Sequence, residues 1–241
     1  MKKLKADELY RKYGIVLILI ILFVASAMIN SNFLKPQNLI NILKQISVVT
    51  IIACGETMLI VSGMIDLSAG LLCTTSMCFA AGVLAATHNI PLAVFTGITI
   101  GVVCGWVNGF MITHFYLQPF IATLAMTNVL KGVVQLYTNG QSIGGVEQIR
   151  FLGQGSIIGI PVPVIIMIVV VFIIAVLMKN TKFGTCIYAI GGSEKTAIAS
   201  GINVNRKKRI IFTLSGALTG LAGVVLMARL MAGMPSVGEG Y

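Results

Sequence analysis

Gly191-Gly192-Ser193-Glu194-Lys195-Thr196-Ala197-Ile198-Ala199-Ser200-Gly201-Ile202-Asn203-Val204-Asn205-Arg206-Lys207-Lys208-Arg209 is the one long polar and charged segment in this chain. It stands between two apolar runs, 155–178 and 210–231, each about as long as the roughly 20 residues that carry a helix across a bilayer. It opens on turn residues, continues through a short capped helix and ends on four consecutive positive charges. Joining two spans needs far less than this, so the segment reads as a surface projecting into the cytoplasm.

Outward from it, the chain reads as membrane. It is 57% hydrophobic and 10% charged, with a mean hydropathy of +0.97, whereas a soluble domain carries about a quarter charged residues. The apolar residues come in long runs rather than in alternation, which selects helices over a barrel. Seven runs are candidate spans: 14–30, 45–62, 69–87, 91–113, 118–138, 155–178 and 210–231. The fold class is all-α, a polytopic helical membrane protein. No polar linker is long enough to divide it, so residues 1–241 form a single transmembrane domain with 191–209 as an excursion within it. No convincing internal repeat is present.

The net charge of +10 is explained by placement, not by nucleic-acid binding. Lys2, Lys3, Lys5, Arg11 and Lys12 precede the first run, and Lys179, Lys182, Lys195, Arg206, Lys207, Lys208 and Arg209 lie between the sixth and seventh; together they are twelve of the seventeen basic residues. With the N-terminus cytoplasmic, six crossings return the second cluster to the cytoplasm, so both obey the positive-inside rule. The first run has a basic start but no small-residue cleavage site, and reads as a retained helix rather than a signal peptide. The residues before 13 resemble a short interfacial helix. Pro36 marks a turn after the first span. The segment Gly140 to Gly155, rich in Gly, Ser and Gln, is the longest external loop.

Enzyme and metal signatures are poor. Cys54, Cys73, Cys78, Cys104 and Cys186 contain no CxxC pair and behave as small apolar residues. His88 and His114 lie near span ends without a spaced ligand partner. There is no G-x-x-x-x-G-K-[ST] element, so ATP would be bound by another polypeptide. The chain itself is expected to hold no cofactor and no metal and to catalyse no reaction.

Several polar or small residues within the spans call for an account. Gly97, Gly101, Gly105 and Gly109 recur every four residues and form one stripe on a helix; Gly216, Gly220 and Gly223 form a shorter one. Small residues let helix backbones approach in lipid, either within one subunit or at a subunit seam. Glu56 lies inside the second run, where it faces a polar pathway, pairs with Lys131 or sits near water. Asp66 and Ser68 lie in Gly63-Met64-Ile65-Asp66-Leu67-Ser68-Ala69-Gly70, a break between two apolar runs. Either caps the next helix, or the break takes part in a conformational change. Asn108, Thr123, Thr127 and Asn128, with Gln135 and Tyr137, either line a pathway for a hydroxylated solute or join helix to helix.

In 191–209, Ser193 is a good N-cap, Glu194 suits the positive helix start and Gly201 suits a left-handed stop. The result is a helix of about two turns, near 10 Å long, with a small apolar surface of Ala197, Ile198 and Ala199. It docks into a partner's groove, or it lies at the headgroups with Arg206 to Arg209 as a topology signal.

Glu194 to Asn205, ending on Gly201-Ile202-Asn203-Val204, resembles the cytoplasmic coupling loop of permease subunits in ATP-binding-cassette importers, in particular the ribose, xylose, arabinose and galactoside group of the branched-chain amino acid permease superfamily. Asn38 to Leu43, Gly63 to Gly70, Gly105 to Gly109, Pro119 to Leu124 and Thr181 to Arg229 match the group in order, across essentially the whole chain. Met64 and Ala69 depart from its usual residues. Similar permeases continue past Gly238-Glu239-Gly240-Tyr241 with further membrane helices, which implies a shortened or incomplete chain. The resemblance implies a bacterial inner-membrane permease subunit that moves a monosaccharide. Its partners would be a cytoplasmic ATPase that binds ATP and magnesium, an extracytoplasmic sugar-binding protein, an identical or different second permease subunit, and membrane lipids. Ser193, Glu194, Ala197, Ser200 and Gly201 would be the ATPase-coupling residues. Two rival readings are an ion-coupled secondary transporter relying on Glu56 and Asp66, and a non-transporting membrane scaffold or fragment.

Overall fold

The computed structural model describes the backbone of residues 6–240 and the side chains of residues 13–238. Its helices are α1 (Ala6–Ile29), α2 (Pro36–Val61), α3 (Ala69–Thr87), α4 (Ile90–His114), α5 (Pro119–Thr138), α6 (Arg150–Gln154), α7 (Val162–Asn180), α8 (Lys182–Gly192), α9 (Glu194–Ala199) and α10 (Val204–Leu230). Short 3-10 helices cover Glu147–Ile149 and Val237–Gly240, and a small hairpin pairs β1 (Ser156–Ile157) with β2 (Ile160–Pro161). Among the described residues, α2, α3, α4, α5, α7 and α10 are long and apolar enough to cross a membrane; the apolar part of α1, Tyr13–Ile29, is shorter.

Several boundaries differ from the sequence reading. Pro36 starts the second helix rather than standing in a turn before a span at 45, the last helix starts at Val204 rather than 210, and Gly191 and Gly192 end α8 rather than forming a turn. From Ala6 onward the basic N-terminal residues belong to the same continuous helix as the first apolar run; residues 1–5 lie outside the described residues. The run 155–178 divides into a hairpin and a helix that starts only at Val162. Gly159 turns at φ +79°, and Pro161 and Pro163 favour a helix start because the first turn leaves their missing N–H without consequence.

The chain forms two compact units, one up to Leu43 and one from Lys44. In the first, the rings of Phe23 and Phe33 meet edge to face at 5.1 Å, and Asn38 donates its side-chain amide to the Phe33 carbonyl at 2.8 Å. Pro36 is the first residue of α2.

In the second unit α10 packs along α4 and α3. The α4 glycine stripe meets the α10 stripe. A Cβ on Gly101 would collide with the Gly216 carbonyl, one on Gly105 with the Phe212 carbonyl, and one on Gly220 would lie 2.6 Å from the Gly97 carbonyl. Gly109 faces the Arg209 backbone at 2.9 Å and Gly97 the Val224 side chain at 2.5 Å, measured the same way. Thus the stripe is filled by a helix of the same chain. Lipid offers no hydrophobic force between helices, so the gain comes from dispersion between closely approached backbones. Met77, Ala81 and Leu84 of α3 and Val224, Val225 and Met227 of α10 complete a core from which solvent and lipid are excluded.

Opposite α9, the loop after α5 is tied down. Ile143 and Gly233 exchange backbone hydrogen bonds, each 2.8 Å long, and Gln148 bonds the His88 ring at 2.8 Å. His114, the last residue of α4, stacks on Phe110.

Replacing Gly101 and Gly105 together with Leu is expected to cost more than about 3 kcal/mol, because backbone rather than a movable side chain occupies the space. Gly132→Ala on α5, where an added Cβ meets nothing within 4 Å, should change stability by no more than about 1 kcal/mol. Thermal unfolding in detergent measures both.

Candidate functional site

α2 ends in a left-handed turn. Gly63 adopts φ +78°, its N–H bonds the Ile60 carbonyl at 3.0 Å, and the Met64 N–H reaches back to Leu59 at 2.9 Å. This six-to-one and five-to-two pairing is the Schellman stop, and Met64 and Leu59 belong to the same buried apolar cluster. Residues 64–68 then run without helix until α3 begins at Ala69.

Buried backbone outside a helix must find partners in the protein. Here neighbouring helices supply them. From α5, Thr123 Oγ1 accepts the Leu67 N–H at 3.2 Å, and Thr127 donates its hydroxyl to the Leu67 carbonyl at 3.1 Å. Within the break, Asp66 Oδ1 accepts both the N–H of Ser68 at 2.7 Å and its hydroxyl at 2.5 Å. From α4, Asn108 Nδ2 donates to Ser68 Oγ at 3.0 Å. Ser68, Asn108 and Thr123 are fully buried and Asp66 is 8% exposed.

The break, Asn108, Thr123 and Thr127 therefore converge on one place. Asn128 does not join them: it is exposed on α5 and bonds back to the Leu124 carbonyl at 3.0 Å. Nor does Ser68 cap α3 with its side chain. Its own backbone is already helical (φ −84°, ψ −10°), whereas a capping residue needs an extended one. Asp66 instead forms a turn two residues long on Ser68. The hydroxyls of Thr123 and Thr127 are engaged with protein, while Asn108 Oδ1 is buried and finds no hydrogen-bond partner among the described residues. Nearby on α2, Glu56 accepts from Ser215 of α10 at 3.5 Å and lies against Asp66. Tyr137 stacks on Phe79 at 4.0 Å, away from this cluster.

The polar segment builds the other half of the site. Ser193 Oγ accepts the Thr196 N–H at 3.3 Å, starting the six-residue α9. Gly201 at φ +80° stops it, with the Ile202 N–H reaching the Ala197 carbonyl at 3.1 Å. Ser200 donates its hydroxyl to the Thr196 carbonyl at 2.9 Å. Glu194 pairs with Lys208 of α10 at 2.8 Å, and Lys207 sits over the Phe183 ring at 5.3 Å. These contacts join α8, α9 and the start of α10. Ala197 does not face outward: it is 2% exposed and packs with Ile190 and Val204. The outward face is Glu194, Lys195, Thr196, Ile198, Ala199 and Ser200, with Ile198 57% exposed.

The residue missing from the sequence reading is Gly191. A Cβ there would collide with the carbonyl of Val61, the last residue of α2. The base of the polar segment therefore rests on the helix end that leads into the break. The Gly191-Gly192 pair is a visible signal, but only the packing says what it touches.

Residues 38–241 match the family described as branched-chain amino acid transport system / permease component. The chain belongs to this permease family. It is 40% identical, over all of its length and 76% of the relative's, to the ribose import permease of Bacillus subtilis. It is 37% identical to the ribose import permease of Escherichia coli K12, over 98% of this chain and 75% of that one. To the L-arabinose permease of Azospirillum brasilense it is 32% identical, over 97% and 69%. No solved structure matches it significantly. With its apolar helices, the permease is a multi-pass protein of the bacterial inner membrane.

Ser68→Ala removes two bonds of the clamp and is expected to destabilise by about 1–3 kcal/mol. Asp66→Asn keeps the acceptor for Ser68 and should be milder than Asp66→Leu, which removes it. Unfolding in detergent orders the three, and equal stability of all of them would disprove the clamp.

Proposed function

We propose that this permease is the membrane subunit of an ATP-driven importer of a pentose or similar monosaccharide. The observation that carries the reading is the 40% identity along the whole chain to a ribose import permease. The arabinose relatives widen the substrate class from one sugar to small hydroxylated sugars. The chemistry of this chain is conformational. ATP is bound and hydrolysed by a cytoplasmic partner subunit, an extracytoplasmic binding protein delivers the sugar, and a second permease subunit, identical or different, completes the pathway. The positive-inside rule favours a cytoplasmic position for both basic clusters, which supports an ATPase contact at residues 191–209.

In this reading the ATPase grips the outward face of α9 around Ile198. α9 passes the motion through α8 and Gly191 to the end of α2, and so to the clamped break at Asp66 and Ser68. The ligand-driven step is a population shift, so the ATPase must bind one facing of the permease more tightly than the other. Asn108, with a free buried acceptor beside the break, is the favoured contact for a sugar hydroxyl, whereas Thr123 and Thr127 act as anchors of the backbone.

Co-purification in mild detergent tests the coupling. Ile198→Glu should reduce the ATPase recovered with the permease by about tenfold or more, the loss of one central contact, while leaving the folded permease intact. Sugar uptake by reconstituted vesicles should require ATP and persist when sodium and proton gradients are collapsed. Uptake that follows an ion gradient instead would establish the secondary-transporter alternative.

A further inference from the structure

The hairpin between α6 and α7 breaks a local rule. Its two-residue turn is Ile158-Gly159, with both residues at positive φ, +52° and +79°. Turns of this type favour Asn, Asp or Gly at the first position, and a β-branched residue there is strained. Ile158 is also 97% exposed, and its neighbours Ile157 and Ile160 are each 47% exposed. The sequence thus accepts backbone strain to hold isoleucine at the tip of a projection. No charged residue occurs from Phe151 to Met178.

Position identifies what the tip meets. β2 ends at Pro161 and α7, the most apolar of the spans, begins at Val162. The apolar tip thus adjoins the start of α7, on which Ile168, Phe172 and Ile173 are more than half exposed. Flanking groups suit the headgroup layer: Arg150 and Phe151 of α6 are exposed, and Lys44 reaches the Gln154 carbonyl at 3.4 Å. The hairpin is only two residues deep on each side and leaves unpaired backbone groups at its turn, which excludes the hydrocarbon centre. Apolar side chains on an under-bonded backbone, flanked by cations and an aromatic ring, match the interfacial zone.

We propose that Ile157, Ile158 and Ile160 insert into the boundary between headgroups and acyl chains of the leaflet opposite α9, and that this hairpin anchors the start of α7 at a fixed depth. The partner is lipid. An extracytoplasmic protein seated on the same tip is the competing outcome.

The test uses tryptophan fluorescence of the full chain in phosphatidylethanolamine and phosphatidylglycerol vesicles, in a Trp106→Phe background that removes the one native tryptophan. Ile158→Trp and, as a second reporter, Ile160→Trp are expected to emit at shorter wavelength than Gln141→Trp on the exposed neighbouring loop. They should be quenched by lipids brominated near the headgroup more than by lipids brominated near the chain end, and protected from aqueous iodide. Emission at the wavelength of Gln141→Trp, with full iodide quenching and no effect of brominated lipid, would overturn the proposal. The same aqueous signal that becomes protected only when the extracytoplasmic sugar-binding protein is added would overturn it in favour of a protein contact.

Discussion

The approach of α4 to α10 is the constraint on which the rest of this permease depends. Lipid tails are as apolar as leucine, so burying leucine between two helices gains little over leaving it in the bilayer. What remains is contact at very short range, and Gly101 and Gly105 against Gly216 and the Phe212 carbonyl provide it. This seam fixes α10 along its length. It thereby fixes the base from which 191–209 projects, and it brings Ser215 towards Glu56 of α2.

On that rigid pair rests a part that is not helical. The break at 64–68 has polar backbone groups within the helical bundle, and α4 and α5 each lend side chains to satisfy them. Asn108 holds Ser68, and Thr123 and Thr127 hold Leu67 from both its N–H and its carbonyl. Bonds of this kind are discrete: they are made or broken, and do not stretch over ångströms. A segment held this way is fixed by a small set of discrete bonds, which agrees with the conformational role proposed for it. The close approach of Gly191 to Val61 joins the segment to α8 and α9.

The two ends of the molecule differ in how they meet their surroundings. Around α9 the exposed groups are charged or polar apart from Ile198 and Ala199, and Glu194 is held by Lys208. At the other end three isoleucines project from a strained turn. A polar rim around one apolar residue suits a protein groove, whereas an uncharged apolar tip beside a span suits lipid.

Much of this was legible in the sequence, because the bilayer restricts what a long apolar run can become. Composition and run length determined an all-helical membrane protein. Ser193 and Gly201 marked the ends of α9, and glycines four residues apart marked a close helix face, since periodicity and capping act within one element. The tertiary structure alone decided which elements meet. It turned the α4 stripe onto α10 and buried Ala197 against Ile190 and Val204. It also gathered Asn108, Thr123 and Thr127 at the break while leaving Asn128, one residue from Thr127, facing out. A helix advances about 100° per residue, so neighbours in sequence diverge in space, and only the packing of whole helices determines which of them becomes part of the site.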